Sequence, residues 1–225
     1  MIKRIFALHT STHDPAESTS AALTKAALTV FSDAFPDVEI RWTDAAKLNI
    51  SPNLSCYANG KQWCGGKESG PYRCWANVKN PVTDEMPVIY DNLDWADTVL
   101  FTTSTRWGSR SAVMQNVIER MNTLENRGAS FGEPYPLKGK RLGVVVAGLH
   151  WKTHAVAKEL IDTLKWWGFA TSEDCILSWQ RSNDPFFEHP DPDKPAEERW
   201  LLTPKGRFAV EHFVRSVVTA RKTAV

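Results

Sequence analysis

Short apolar runs alternate with longer amphipathic segments along most of the chain. The runs are too brief for helices and are rich in β-branched or aromatic residues, which predicts buried strands. Five strands are predicted, at residues 2–8, 38–42, 99–101, 142–147 and 170–179. Because strands and helices alternate from end to end, the pattern predicts an α/β fold with helices on both faces of a parallel sheet.

The segments between the predicted strands carry apolar residues at helical spacing. One helix is predicted to begin near Ser18, another to follow Gly108, and a third to end at Gly168. A short helix is expected within residues 83–95. A C-terminal helix is expected at about residues 204–221, where a threonine precedes a proline.

Residues 47–81 show no sustained periodicity, so they form a Cys- and Trp-rich insert in a single domain that spans residues 1–225. The insert holds Cys56, Cys64 and Cys74, separated by seven and nine residues. This spacing is wide for an iron–sulfur loop, and the insert has no histidine to complete a zinc site. We therefore expect thiols that bind no metal. Four aromatic residues are expected to pack the insert onto a neighbour or over a ligand: Tyr57, Trp63, Tyr72 and Trp75.

Charge and motifs narrow the function classes. A formal net charge of +1 gives no reason to expect nucleic acid or an anionic membrane as partner. No segment approaches the ~20 apolar residues of a spanning helix, and the N-terminal apolar run is shorter than a signal-peptide core, so a cytoplasmic protein is expected.

The sequence contains no G-x-S-x-G, H-E-x-x-H, P-loop or G-x-G-x-x-G motif. No metal site is predicted, because the spacing of His150 and His154 alone is a weak signal.

Ligands of open parallel sheets bind beyond the carboxyl ends of the strands, so the loops at these ends are candidate sites. The loop after the first strand contains Ser11 and leads into Ser18, Thr19 and Ser20 at a helix start. Free N–H groups and the helix dipole favour an anion there, and a phosphate fits; alternatively, Ser18 or Thr19 is only an N-cap. The loop after the third strand carries Thr103, Ser104, Thr105, Arg106, Trp107 and Gly108, and Gly148 begins the loop after the fourth strand.

Residues 97–120 resemble the second cofactor loop of the flavodoxin-like NAD(P)H-dependent FMN reductases and of the related iron–sulfur flavoproteins. The family pattern is approximately T-P-x-Y-W-G-S-x-S-A-x-x-K-x-x-x-D-R. The chain agrees with this pattern at Thr103, Trp107, Gly108, Ser109, Ser111, Ala112 and Arg120. It has Ser104, Arg106, Gln115 and Glu119 at the family Pro, Tyr, Lys and Asp positions.

Two further loops resemble the same family. The family's first loop, S-x-R followed by G-N-T-x-x-L, corresponds to Ser11 and to Ser18, Thr19 and Ser20 with Leu23, without the family Arg and Gly. The family's third loop, usually rich in glycine, corresponds to Gly148, Leu149, His150 and Trp151. The resemblance implies a flavodoxin-like three-layer αβα sandwich with a five-stranded parallel sheet.

The resemblance also implies bound FMN, with NAD(P)H as co-substrate. The first loop would hold the FMN phosphate, Thr103 to Gly108 would follow one edge of the ring, and Gly148 to Trp151 would supply N–H groups near its O2 and N1 end. The implied function is transfer of hydride from NAD(P)H through FMN to a quinone, a flavin or a similar small-molecule acceptor. Relatives commonly assemble as dimers or tetramers, so the resemblance also implies a homodimer or homotetramer.

Alternatives remain open at this point. His150 either stabilises reduced flavin or is a surface residue, and Arg106 either stacks on the ring or forms a salt bridge. Trp107 and Trp151 either stack on the ring or are buried elsewhere. At the level of function, the alternatives are an electron-transfer flavoprotein without its own NAD(P)H site and a cofactor-free scaffold.

Overall fold

The computed structural model describes residues 2–56, 64, 66–181, 186–187 and 200–221. Its five strands are β1 (Arg4–His9), β2 (Glu39–Asp44), β3 (Thr98–Ser104), β4 (Arg141–Gly148) and β5 (Ile176–Gln180). They form one sheet in the order β2-β1-β3-β4-β5, and every neighbouring pair is parallel. This is the strand order of flavodoxin-like folds, so the predicted fold class is confirmed.

Six α-helices belong to the described part of the chain. They are α1 (Thr19–Ala34), α2 (Trp75–Lys79), α3 (Met86–Trp95), α4 (Ala112–Ala129), α5 (Thr153–Trp166) and α6 (Pro204–Thr219). Short 3-10 turns occur at Ala45–Lys47, Lys67–Ser69 and Glu173–Cys175. None of the helices in these ranges is long and apolar enough to cross a membrane.

The helices lie in two layers, one on each face of the sheet. α1 and α6 contact each other and both pack on β4, whereas α3 contacts α4 and β1. Right-handed crossovers between parallel strands place α3, α4 and α5 on the face opposite to α1. The central strands are consequently covered on both sides, and Val99, Leu100 and Phe101 of β3 are fully buried.

The fifth predicted strand is shorter than its apolar run suggests. Ala170 forms an isolated parallel bridge with Arg141, and the chain then leaves the sheet for the turn Glu173–Cys175 before β5 begins at Ile176. The prediction that Cys175 lies in the strand is therefore wrong. Two consecutive carboxylates, Glu173 and Asp174, keep this turn at the surface, where both side chains are exposed.

The described part of the insert packs along α4 rather than over the carboxyl edge of the sheet. Cys56, Cys64 and Cys74 are buried free thiols that line a cavity of about 20 Å³ beside Arg120. Among the described residues, no group of three or more His, Cys, Asp or Glu side chains is placed to hold a metal ion. Tyr72 stacks on Tyr90 of α3 at 5.7 Å. Tyr57 and Trp63, which were expected to pack the insert, lie outside the described residues.

A buried ion pair between Arg120 of α4 and Asp84, just after the insert, holds the insert residue Ser51. The Arg120 guanidinium donates to both Asp84 carboxylate oxygens, at 2.9 and 2.6 Å, and also to the Ser51 carbonyl at 2.6 Å. Burial alone raises the pKa of Asp84, but the hydrogen bonds from Arg120 and the Ser51 N–H outweigh it, so this pKa lies below its ordinary value. Both side chains are almost fully buried. Removal of either charge would therefore leave the other buried and unpaired, which is strongly destabilising.

We expect Asp84→Asn to lower the free energy of unfolding by about 3 kcal/mol, because it leaves the Arg120 charge buried without its partner. Urea unfolding at neutral pH measures the loss. The matched control is Asp162→Asn, which removes an exposed partner of Lys158 and should leave the unfolding midpoint nearly unchanged. Equal midpoints for the two variants would show that the Arg120–Asp84 pair does not anchor the insert.

Candidate active site

Three loops meet at the carboxyl edge of the sheet. The first, second and third loops are residues 10–18, 105–111 and 149–152, and they follow β1, β3 and β4. Because these strands are consecutive in the sheet, their loops surround a main cavity of about 210 Å³. From the predicted set, this cavity is lined by Ser11, Ser18, Thr19, Ser20, Ser104, Thr105, Arg106, Gly148 and Leu149.

A second cavity of about 190 Å³ adjoins the main one. Its lining consists of Thr105, Trp107, Leu149, His150 and Trp151, and it shares Thr105 and Leu149 with the main cavity. The Trp107 side chain is 97% exposed, and Leu149 and Trp151 are about half exposed. The two predicted tryptophans therefore lie at the surface beside the main cavity, and neither is part of the buried core.

The first loop ends at the N-terminus of α1. Ser18 is the N-cap, and its hydroxyl oxygen accepts a hydrogen bond from the Ala21 N–H at 3.4 Å. The same residue lines the main cavity, so it both caps the helix and faces the ligand space. Arg106 and Arg181 bring positive charge to this cavity, and Glu17 brings a carboxylate. Free amides at a helix start next to two cations favour an anion.

The second loop contains a tight reversal. Arg106 and Ser109 exchange two backbone hydrogen bonds, at 2.7 and 2.9 Å, around Trp107 and Gly108. Both central residues have positive φ, 48° for Trp107 and 75° for Gly108, as in a type I′ turn. Glycine adopts this conformation freely, but tryptophan rarely does. Gly108 therefore shapes the loop without lining either cavity.

Buried hydroxyls connect the first and second loops. Ser111, the N-cap of α4, accepts from the Met114 N–H at 3.1 Å and donates to the Thr10 carbonyl at 2.9 Å. Its backbone N–H donates to the Thr103 hydroxyl at 3.2 Å. Thr103 is fully buried and does not line the main cavity. Its side chain therefore positions the second loop from behind the cavity wall.

The third loop follows Gly148, a position with no room for a side chain. A Cβ at Gly148 would lie 2.5 Å from the Thr153 hydroxyl and 3.0 Å from Thr105, so only glycine lets the second and third loops approach this closely. The Gly148 carbonyl accepts from the Arg181 N–H at 3.0 Å. This bond continues the β4–β5 pairing to the edge of the cavity.

Some hydroxyl oxygens at the cavity wall have no hydrogen-bond partner among the residues that the structure describes. Those of Ser104 and Thr105 are buried and unpartnered, and so is that of Thr153 behind Gly148. Buried polar atoms in folded proteins almost always have a partner, from the protein, from water or from a ligand. The side of the cavity formed by the end of β3 is therefore suited to a polar ligand.

Several residues of this site were not predicted from the sequence. Trp179 and Arg181 line the main cavity from the end of β5, and His13 and Glu17 line it from the first loop. His9 lies behind it, fully buried at the end of β1. The sequence did contain a signal for both residues, since Trp179 ends a predicted strand and Arg181 follows it. Their position at the cavity depends on the adjacency of β4 and β5. His13 had only its place in the loop.

Comparison with known families identifies the chain. The model of the NADPH-dependent FMN reductases matches residues 3–184. The chain belongs to this family. As a member of the FMN reductase family, it is an oxidoreductase that uses a flavin, and the resemblance noted in the three loops is confirmed at the level of the family. No curated protein sequence matches the chain.

Solved structures of similar fold include several flavin enzymes. RosB, determined with a bound 8-demethyl-8-formylriboflavin-5′-phosphate intermediate, has 18% identity and a TM-score of 0.67, over 96% of this chain and 79% of RosB. An azoreductase from Bacillus anthracis has 15% identity and a TM-score of 0.60, over 96% and 99%. An NAD(P)H:quinone oxidoreductase from Methanothermobacter marburgensis has 15% identity and a TM-score of 0.58, over 94% and 96%. At these identities the likeness establishes the fold.

We expect Ser111→Ala to lower the free energy of unfolding by about 1–2 kcal/mol, because it removes the α4 N-cap and leaves buried groups of both loops without a partner. Amide hydrogen exchange should increase at Met114. The control is Ser130→Ala at the other end of α4, where the side chain is exposed and the effect should be close to zero. Unchanged exchange at Met114 in Ser111→Ala would contradict this role.

Proposed function

We propose that the protein transfers hydride from NAD(P)H through bound FMN to a small, planar acceptor such as a quinone or a flavin. The observation that carries the proposal is the convergence of three loops from adjacent parallel strands on one cavity, in a chain of the FMN reductase family. Bound FMN would supply the ring that accepts hydride and passes on electrons, so the protein is required mainly to bind and orient.

The polar groups of the main cavity fit a phosphorylated ring compound. Ser11, Ser18, Thr19 and Ser20 would hold the phosphate, with the free amides of the α1 N-terminus. Arg106 and Arg181 would balance its charge. The support for this placement is that these hydroxyls, the α1 N-terminus and the two arginines line the same cavity.

The second and third loops would hold the ring. The unpartnered hydroxyls of Ser104 and Thr105 would bond to its polar edge. Gly148 and Leu149 would approach it with backbone, since the lack of a side chain at Gly148 allows contact with the second loop. Thr103 would act by positioning the second loop rather than by contact. Gly108 would set the turn that carries Trp107.

The second cavity would receive the acceptor or the nicotinamide. Trp107, Leu149 and Trp151 give it an apolar and largely aromatic surface, and the Lys152 ammonium lies 4.6 Å from the centre of the Trp151 ring. Exposed aromatic side chains beside a cofactor site favour stacking of a planar molecule. The similarity of fold to an azoreductase and to a quinone oxidoreductase supports an aromatic acceptor. His150 would border this space, and assembly as a homodimer or homotetramer stays a prediction.

We expect the protein to bind FMN with a rise in its melting temperature, and anaerobic NADPH to bleach the absorption of the bound flavin. Stopped-flow spectroscopy measures the rate of bleaching, and NADH is tested beside NADPH. Tight FMN binding without bleaching by either nucleotide would favour an electron-transfer flavoprotein. Colourless protein whose melting temperature does not respond to FMN would refute a flavin function.

We expect Trp107→Ala to raise the KM for a quinone acceptor about tenfold, through loss of a stacking surface, and to leave FMN affinity unchanged. Steady-state kinetics at fixed NADPH gives the KM, and flavin fluorescence gives the affinity. The control is Trp166→Ala, which removes another exposed tryptophan at the opposite edge of the sheet. A KM that is the same in both variants would exclude Trp107 from acceptor binding.

A further inference from the structure

A chain of three side chains runs from β2 to the ligand side of the first loop. In the parallel register, His9 of β1 is the partner of Asp44 of β2. His9 Nδ1 lies 3.3 Å from the Asp44 carboxylate, and His9 Nε2 lies 3.1 Å from the Ser18 hydroxyl. Ser18 in turn lines the main cavity. The fully buried imidazole therefore connects a carboxylate behind the site to a hydroxyl in its wall.

The protonation state of His9 determines where the Ser18 hydrogen points. An ionised carboxylate only accepts hydrogen bonds, so Asp44 requires a proton on His9 Nδ1. In the neutral imidazole, Nε2 is then an acceptor, and the Ser18 hydroxyl donates to it. In the imidazolium, Nε2–H donates to the Ser18 oxygen, and the Ser18 hydrogen is released. In the first state His9 engages the Ser18 hydrogen, whereas in the second state Ser18 is able to donate into the main cavity.

Few other hydrogen-bonding groups lie near the Ser18 hydroxyl and His9 Nε2. Ser20 Oγ lies 3.0 Å from Ser18 Oγ and 3.5 Å from His9 Nε2, so it shares the same site. The Ala21 N–H already donates to Ser18. The Trp42 ring stacks on the imidazole, with centroids 5.5 Å apart, and keeps its face from water.

Several charged groups surround the imidazole. Burial lowers the pKa of His9, and this effect outweighs the attraction of Asp44, which raises it. Lys25 of α1 opposes protonation, whereas Asp14 of the first loop favours it. Lys47 lies 3.7 Å from Asp44 and 3.8 Å from Asp14, so its positive charge partly offsets the negative charge of both carboxylates. The charged and titratable residues on the cavity side are His13, Glu17, Arg106 and Arg181.

We propose that the phosphate of FMN binds together with one proton, which is taken up by His9 and turns the Ser18 hydroxyl from His9 toward the phosphate. The inference rests on the phosphate placement under the proposed function. His9 is a positioning residue, since it acts on the ligand through Ser18. The imidazolium then lies between Asp44 and a phosphate anion, and two negative charges stabilise the one positive charge.

Proton uptake distinguishes this role from a structural one. Calorimetric titration of FMN at about pH 7.5, in buffers of different ionisation enthalpy, counts the protons bound; we expect about one per FMN in the wild-type protein. Riboflavin, which lacks the phosphate, should bind with almost none. Since the wild-type protein alone provides this comparison, the result does not depend on whether a variant folds.

Two variants locate the proton. His9→Gln keeps a side-chain N–H for Ser18 but cannot become charged, so uptake should be lost and FMN should bind about tenfold more weakly, with riboflavin affinity unchanged. His13→Gln, which removes the histidine that lines the cavity itself, should keep the uptake. Imidazole ¹⁵N shifts of the wild-type protein should show His9 neutral when free and protonated with FMN.

The outcomes separate the two proposals. Absence of any FMN binding would overturn the proposed function. FMN binding without proton uptake, uptake that survives in His9→Gln, or an imidazole that stays neutral in the complex would overturn only the role of His9. Inorganic phosphate alone is a further probe, and it should produce the same ¹⁵N change as FMN.

Discussion

Parallel pairing of β1, β3 and β4 is the constraint on which the site depends. It places three chain reversals at one edge, and the hydrogen bonds of the sheet extend past the strand ends into the loops. The Thr10 N–H donates to the Thr102 carbonyl at 2.9 Å, and the Thr105 N–H donates to the Ala147 carbonyl at 2.9 Å. The start of each loop is therefore held by the neighbouring strand, as catalytic and binding sites on loops require a rigid scaffold.

Hydroxyl side chains satisfy the polar groups at this edge without introducing charge. Thr24 of α1 and Thr102 of β3 lie 2.7 Å apart at their hydroxyl oxygens, and the Thr10 hydroxyl donates to the Thr102 carbonyl. A hydroxyl both donates and accepts, so such groups pair with one another in a small space. At this edge the charged side chains Glu17, Arg106 and Arg181 lie in the cavity lining, whereas these three threonine hydroxyls are buried.

The sequence predicts well what depends on local pattern. The strand cores and the start of α1 at Ser18 follow from apolar spacing and from capping, and the second loop was identifiable from its family pattern. Contacts that depend on strand register cannot be predicted from local pattern. Nothing near His9 in the chain indicates that Asp44 lies beside it. The Arg120–Asp84 pair likewise joins two segments 36 residues apart. The start of the fifth predicted strand was wrong because a strand-like pattern does not reveal where pairing is interrupted.

The two ends of the site differ in how firmly the structure holds them. At the α1 end, Ser18 and Ser20 are buried and bonded in a network that includes His9. Ser11 is also buried, and its hydroxyl accepts from the His13 N–H. At the other end, Trp107 is held at positive φ by the backbone pair of Arg106 and Ser109, a conformation that costs on the order of 1 kcal/mol for a bulky residue. Trp107 is almost fully exposed, so its own packing does not compensate for this cost. A strained, exposed aromatic residue beside a rigid, hydroxyl-lined pocket is consistent with the proposed function, in which one end retains the cofactor and the other admits planar molecules in turn.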